Sequence, residues 1–221
     1  MKNISIAPEL ADCCPDIFLS CIECDVRVEK HRADLWQVIE ASCKDIAESL
    51  DVEAIRHIPT IASSREAYKA CGKDPARYRL SAEALLRRVV SGKGLYQVNN
   101  VVDVLNLVSI SSGFSIGGYD ADRIDGKVVM GIGRKDEPYE GLGRGELNIE
   151  GLPVLRDRKG AFGTPTSDSE RTGVREGTRR FLMAIISYQG AYKIHEASQA
   201  AIKLLTDFAS ASNIETYQVT V

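Results

Sequence analysis

The segment from Val98 to Ser111 constrains the fold more than any other stretch of the chain. Val101, Val102, Val104, Leu105, Leu107, Val108 and Ile110 place apolar side chains almost all round a helix of that length. Such a helix is stable in water only when other elements cover it. It needs a sheet or further helices on several sides, so this helix sits inside a layered domain. Three polar residues interrupt it. Asn99, Asp103 and Asn106 are spaced by four and three, which puts them on one face. Buried amides and carboxylates need partners. Two readings stay open: the three residues cap and brace neighbouring loops, or they wall a pocket.

The rest of the 221-residue chain supplies the covering elements. Strands are expected over Asn3 to Ala7 and Ile17 to Val28, where Ile17, Leu19 and Cys21 alternate. An amphipathic helix follows from about Arg32 to Leu50, with Leu35, Ile39, Cys43 and Ile46 on its apolar stripe. A second begins near Ser63, taken as its N-cap, and stops at Cys71 before Gly72. A third starts at Ser81, carrying Ala82, Leu85, Leu86, Val89 and Val90 inward. Short strands are expected over Lys127 to Ile132 and Leu152 to Leu155, with an apolar strand at 179–188. A last helix from His195 to Ala209 and a strand from Ile214 to Val221 close the chain. Strands and helices neither alternate strictly nor segregate. The expectation is therefore one α+β domain over residues 1–221, not a doubly wound parallel sheet.

Several chemistries lack their signatures. There is no G-x-S-x-G elbow, no H-E-x-x-H and no phosphate-binding loop. The glycines at 141, 143 and 145 lack the strand-to-helix context of a dinucleotide fingerprint. His31, His57 and His195 stand far apart. Among the six cysteines, Cys21 and Cys24 form a C-x-x-C with no second ligand pair at a matching distance. No metal and no cofactor are expected, and the thiols are expected to be reduced. The N-terminus MKNISIAPEL has no apolar leader core and no run of 18 apolar residues occurs, so a cytoplasmic protein without membrane contact is expected. The net charge of −3 argues against a broadly basic DNA- or RNA-binding surface but leaves room for a local patch.

Two local concentrations draw attention. Thr164, Thr166, Ser167, Asp168, Ser169 and Arg171 crowd into eight positions ahead of the strand at 179–188. The loop is either a solvated turn or a binding loop on a rigid scaffold. Around it lie Arg156, Arg158, Lys159, Arg171, Arg175, Arg179 and Arg180, able to meet phosphates or simply to face solvent.

The run from Tyr96 to Leu107 is similar to N-N-V-V-D-V-T-N-Y, a hallmark of the editing region of the bacterial phenylalanyl-tRNA synthetase β subunit. Ser115 to Asp120 lies where that family has P-M-H-A-F-D, and Gly163 to Thr178 looks like its glycine-rich loop. The resemblance is strongest over residues 75–190. It implies a freestanding α+β editing domain that works on tRNA or aminoacyl-tRNA in translation fidelity. The implied reaction is hydrolysis of the ester of a mischarged tRNA. The implied alternative is a non-catalytic module that binds tRNA or an amino acid. No synthetase or ATP-binding motif is present, so the chain is not expected to charge tRNA. Of the family's pocket residues the asparagine is kept, as Asn106, and on the hydrolase reading it is expected to be catalytic together with Thr164, Ser167, Asp168 and Ser169 of the polar loop. Asn99, Asp103, Gly117, Gly163 and Ala184 would bind substrate, and Arg156, Arg158, Lys159, Arg171 and Arg175 would bind RNA. The family's histidine falls on Gly117 and its phenol-reading glutamate on Ala184, which implies a substrate other than tyrosyl-tRNA.

Overall fold

A computed structural model describes all residues from 1 to 221. In chain order the strands are β1 (Ile4–Ile6), β2 (Phe18–Asp25), β3 (Ser115–Asp120), β4 (Val128–Ile132), β5 (Glu140–Gly141), β6 (Gly145–Glu146), β7 (Pro153–Asp157), β8 (Gly160–Gly163), β9 (Arg180–Ser187) and β10 (Ser212–Thr220). The helices are α1 (Pro8–Cys13), α2 (Ala33–Ser49), α3 (Pro59–Ala70), α4 (Ser81–Val90), α5 (Asn100–Ser112) and α6 (Ile194–Ala209).

The strands form two four-stranded sheets and one short hairpin. The first sheet runs β1-β4-β7-β8, with β1 parallel to β4 and the other pairs antiparallel. The second runs β10-β2-β9-β3 and is antiparallel throughout. The result is the expected α+β class. The second sheet is the middle layer. One face of β2 and β9 presents Phe18, Ile22, Cys24, Phe181, Met183 and Ile185 to the helices, including α2, α4, α5 and α6. The other presents Leu19, Cys21, Leu182, Ala184 and Ile186 to the first sheet.

This layering corrects the reading of β2. Its alternation of Ile17, Leu19 and Cys21 suggests one buried face, yet Phe18 to Cys24 are buried on both. A strand between two layers needs apolar or satisfied side chains at every position. Helix α3 also departs from expectation. It starts at Pro59, not Ser63, because proline suits the first helical turn, where its missing N–H is not needed. Ser63 lies inside the helix and donates to the Thr60 carbonyl.

Helix α5 is buried as its composition requires. Asn99 caps it, its side chain accepting from Val102 N at 3.0 Å. Gly113 ends it with φ +74°, and a Cβ there would overlap Thr60 Oγ1, so both backbone and space demand glycine. Asn100, 1% exposed, ties three segments together. Its Oδ1 accepts from Glu29 N, while Nδ2 donates to the carbonyls of Arg27 and Phe208. No helix is long and apolar enough to cross a membrane.

Candidate functional site

The polar stripe of α5 divides between the two roles its residues left open. Asn99 is committed to its cap. Asp103 accepts from Val98 N and Trp36 Nε1, both at 2.9 Å, and so braces the start of α5 against α2. Burial raises its pKa, with those two donors pulling the other way. Only Asn106 of the three reaches an open cleft.

That cleft, about 410 Å³, lies between α4, the turn after it, α5 and the tip of the β5–β6 hairpin. Asn106 and Thr166 line it together, beside Ser81, Ser91 and Tyr96. Its cations are Arg79, Arg87, Arg88, Lys93 and Arg144, and no carboxylate or imidazole forms part of its wall. Glu83, 2% exposed, sits behind and holds Arg87 at 3.1 Å and Arg65 at 2.8 Å, with Arg79 farther off at 3.9 Å. Arg88, Lys93 and Arg144 have no acidic partner. Arg88 lies 3.7 Å over the Tyr96 ring, and its Nε is buried without a hydrogen bond. A guanidinium stacked on an aromatic ring with donors to spare suits a phosphate or a polarised carbonyl.

The polar loop does not face this cleft as a unit. Thr164 Oγ1 accepts from the amides of Thr166 and Ser167 and donates to the Ser167 carbonyl, so it closes the turn. Ser167 Oγ donates to the Asp168 carbonyl at 3.3 Å. Thr166 is the residue this turn delivers to the cleft, with its hydroxyl 2.9 Å from Tyr68 Oη. Ser169 lines a separate hollow with Lys159 and Arg171.

Asp168 turns inward. Part of the residue is open at the surface, but Oδ1 is buried without a partner and Oδ2 accepts from Gly118 N at 3.3 Å. Burial pushes its pKa up to about 7, against the pull of the Tyr119 hydroxyl and the Gly118 amide. The folded pKa exceeds the unfolded value near 3.9, so the fold binds more protons than the unfolded chain between those two values. The contribution of Asp168 to stability then falls as pH rises from about 4 to about 7, by on the order of a few kcal/mol. Asp168→Asn removes the titration. Urea unfolding of both proteins at pH 4 to 8 is expected to show the variant gaining on the natural protein across that window. A constant difference between them would contradict this account of Asp168.

Gly117 and Gly163 face the Tyr119 side chain, and Ala184 lies in the same buried cluster. A Cβ on Gly117 or Gly163 would overlap the Tyr119 hydroxyl, and Ala184 is fully buried opposite Gly117. The three belong to the wall of the core around a tyrosine of the chain itself. The local density of arginines also resolves into the fold. Arg156 pairs with Glu137 at 2.7 Å, Arg158 pairs with Asp125, and Arg171 grips both oxygens of Asp157 at 2.9 Å. Arg175 donates to the Glu170 carbonyl and is exposed, and Lys159 is exposed without an acidic partner.

The sequence names Thr166 in the polar loop and Tyr96 in the matched run without giving either a role, and the five cations of the cleft carry no signal in it. Arg87 and Arg88 sit on the polar side of α4, but Arg79, Lys93 and Arg144 are too scattered to stand out before folding.

A family model described as the B3/4 domain matches residues 63–210. Among solved structures, the chain is similar to an N-terminal fragment of the phenylalanyl-tRNA synthetase β subunit from Pyrococcus horikoshii. The TM-score is 0.52 at 16% identity, over 99% of this chain and 51% of that one. The chain thus spans about half the length of that structure, and at this identity the likeness speaks to the fold. No curated protein matches the chain.

Proposed function

Since the chain belongs to the B3/4 domain family, we propose that it hydrolyses the ester of a mischarged aminoacyl-tRNA, with residues 1–221 acting as one unit. The observation that carries this reading is the meeting of Asn106 and Thr166 in a cleft whose charged residues are all cationic. The cations meet the phosphates of the acceptor end. The Asn106 amide and the Thr166 hydroxyl orient the ester carbonyl and a water. Water attacks the carbonyl carbon, the bond from that carbon to the ribose oxygen breaks, and the ribose oxygen takes the proton. The products are free amino acid and uncharged tRNA. An activated ester needs little more than positioning and oxyanion stabilisation, which one well-placed amide supplies at a level of about 10²–10³ in rate. In this reading Thr164, Ser167 and Asp168 shape the turn that presents Thr166.

A second reading, tRNA binding without hydrolysis, is favoured by the lack of any carboxylate or imidazole in the cleft wall. Incubating the purified protein with a panel of mischarged tRNAs separates the two. The expected result is release of one class of amino acid above the uncatalysed rate, with tyrosyl-tRNA not the best substrate, because no carboxylate lines the cleft to accept from a phenol. Tight tRNA binding with no release of any amino acid would establish the second reading instead.

A further inference from the structure

Three cysteines meet where helices α1 and α3 end. Cys13 is the last residue of α1 and Cys14 follows it, while Cys71 follows the last residue of α3. The Cys71 thiol is in hydrogen-bond contact with the thiols of Cys14 and Cys13. Cys14 belongs to the buried cluster between the two sheets, and Cys13 and Cys71 pack against it half-buried. No group of three or more His, Cys, Asp or Glu is arranged to hold a metal ion. A cavity of about 260 Å³ reaches the thiols, with Cys13, Cys14 and Tyr188 in its wall. The Tyr188 side chain is 9% exposed, and its hydroxyl is buried without a hydrogen-bond partner. Burial, with Tyr68, Cys14 and Cys71 nearby, raises its pKa well above the ordinary value, so it keeps its proton. A neutral thiol is a weak acceptor for that donor, while a thiolate or an oxygen added to sulfur is a stronger one.

Contact with Cys71 lowers the pKa of Cys14, against the pull of burial. The same contact, together with burial, raises that of Cys71. Cys14 therefore ionises first, and a thiolate is the nucleophile in thiol chemistry. We propose that Cys14 and Cys71 form a reversible oxidation site that closes to a disulfide, with a small neutral hydroperoxide as the oxidant. The Cys14 sulfur attacks one peroxide oxygen and the O–O bond breaks. The departing hydroxide takes the thiol proton and leaves as water, and Cys14 becomes a sulfenic acid with Tyr188 donating to its oxygen. The Cys71 sulfur then displaces that hydroxyl, which leaves as a second water with the Cys71 proton. Two thiols and one hydrogen peroxide become one disulfide and two waters. An anionic oxidant such as glutathione disulfide would meet the carboxylates of Asp16 and Glu66 in the same cavity wall. The site does not depend on the hydrolase reading, since it shares no wall residue with the cleft.

Peptide mapping of the full reduced chain after brief hydrogen peroxide treatment tests it. The expected result is a link between Cys71 and the peptide that holds Cys14, loss of two of the six thiols, and full recovery with dithiothreitol. The yield of the link should persist in Cys13→Ser and fall at least tenfold in Cys14→Ser. Tyr188→Phe should slow its formation at least threefold. Glutathione disulfide at the same concentration should form it at least tenfold more slowly than peroxide. Absence of the link in the natural protein overturns the proposal, as does its loss in Cys13→Ser. Oxidation that dithiothreitol does not reverse, an unchanged rate in Tyr188→Phe, or glutathione disulfide acting as fast as peroxide would overturn it as well.

Discussion

Tyr119→Ala is expected to lower the unfolding free energy by about 3–5 kcal/mol, the usual cost of removing a large aromatic side chain from a packed core. Tyr119 is 1% exposed and meets Phe162 edge to face, with ring centroids 4.9 Å apart. Its hydroxyl occupies the space that Gly117 and Gly163 leave by having no side chain. The fit makes a sharper test than the single variant. Gly163→Ala alone forces a Cβ onto the Tyr119 hydroxyl and should cost about 1–3 kcal/mol. In the Tyr119→Ala background that clash is gone and the added methyl fills part of the cavity. The two changes together should therefore destabilise less than their sum, by roughly 0.5–3 kcal/mol. Denaturant unfolding of the four proteins measures the coupling. Strict additivity would contradict the packing described for Tyr119.

Replacing Arg88, Lys93 and Arg144 together with alanine is expected to weaken tRNA binding by roughly fifty-fold at 0.15 M salt. Each phosphate contact to a single strand contributes about 0.7 to the slope of log K against log salt, so the slope should flatten by about 2. Arg158→Ala is the control. That side chain is paired with Asp125, and its loss should change affinity less than about twofold. Filter binding across a salt series reads both numbers. An unchanged slope in the triple variant, or a large loss with Arg158→Ala, would move the RNA surface to the stretch from Arg156 to Arg175.

The contrast between those two groups of cations shows where sequence reasoning stops. Arg156, Arg158 and Arg171 draw the eye because they are close in the chain, yet each has found a carboxylate in the fold: Glu137, Asp125 and Asp157. The partners lie 14 to 33 positions away, and nothing in a linear reading reveals them. The cations of the cleft span residues 79 to 144 and converge only because α4 packs beside α5 and the β5–β6 hairpin reaches over them.

The same holds for secondary structure. Helices α2, α4, α5 and α6 are legible because their apolar spacing repeats over three turns or so. Strand β3 is not, because Gly117 and Gly118 have no side chains to show an alternating apolar pattern. In the fold both are strand residues without side chains, since Tyr119 and Leu105 take the space. On α5, the spacing of Asn99, Asp103 and Asn106 points to one side of the helix. It cannot say that two of them are spent on bracing the chain, because their partners, Val102, Val98 and Trp36, are settled by where the helix starts and by how α2 docks.

Asn106 is left as the residue on which the account turns. Single-turnover hydrolysis of the best mischarged tRNA, comparing the natural protein with Asn106→Ala, tests it most directly. The side chain is half-buried and lines the cleft, so the variant should keep its circular dichroism spectrum and thermal midpoint. Its rate should fall at least about tenfold, or roughly 1.4 kcal/mol in the barrier. A folded Asn106→Ala protein that releases the amino acid at the natural rate would contradict the claim that this cleft is where the ester is cleaved.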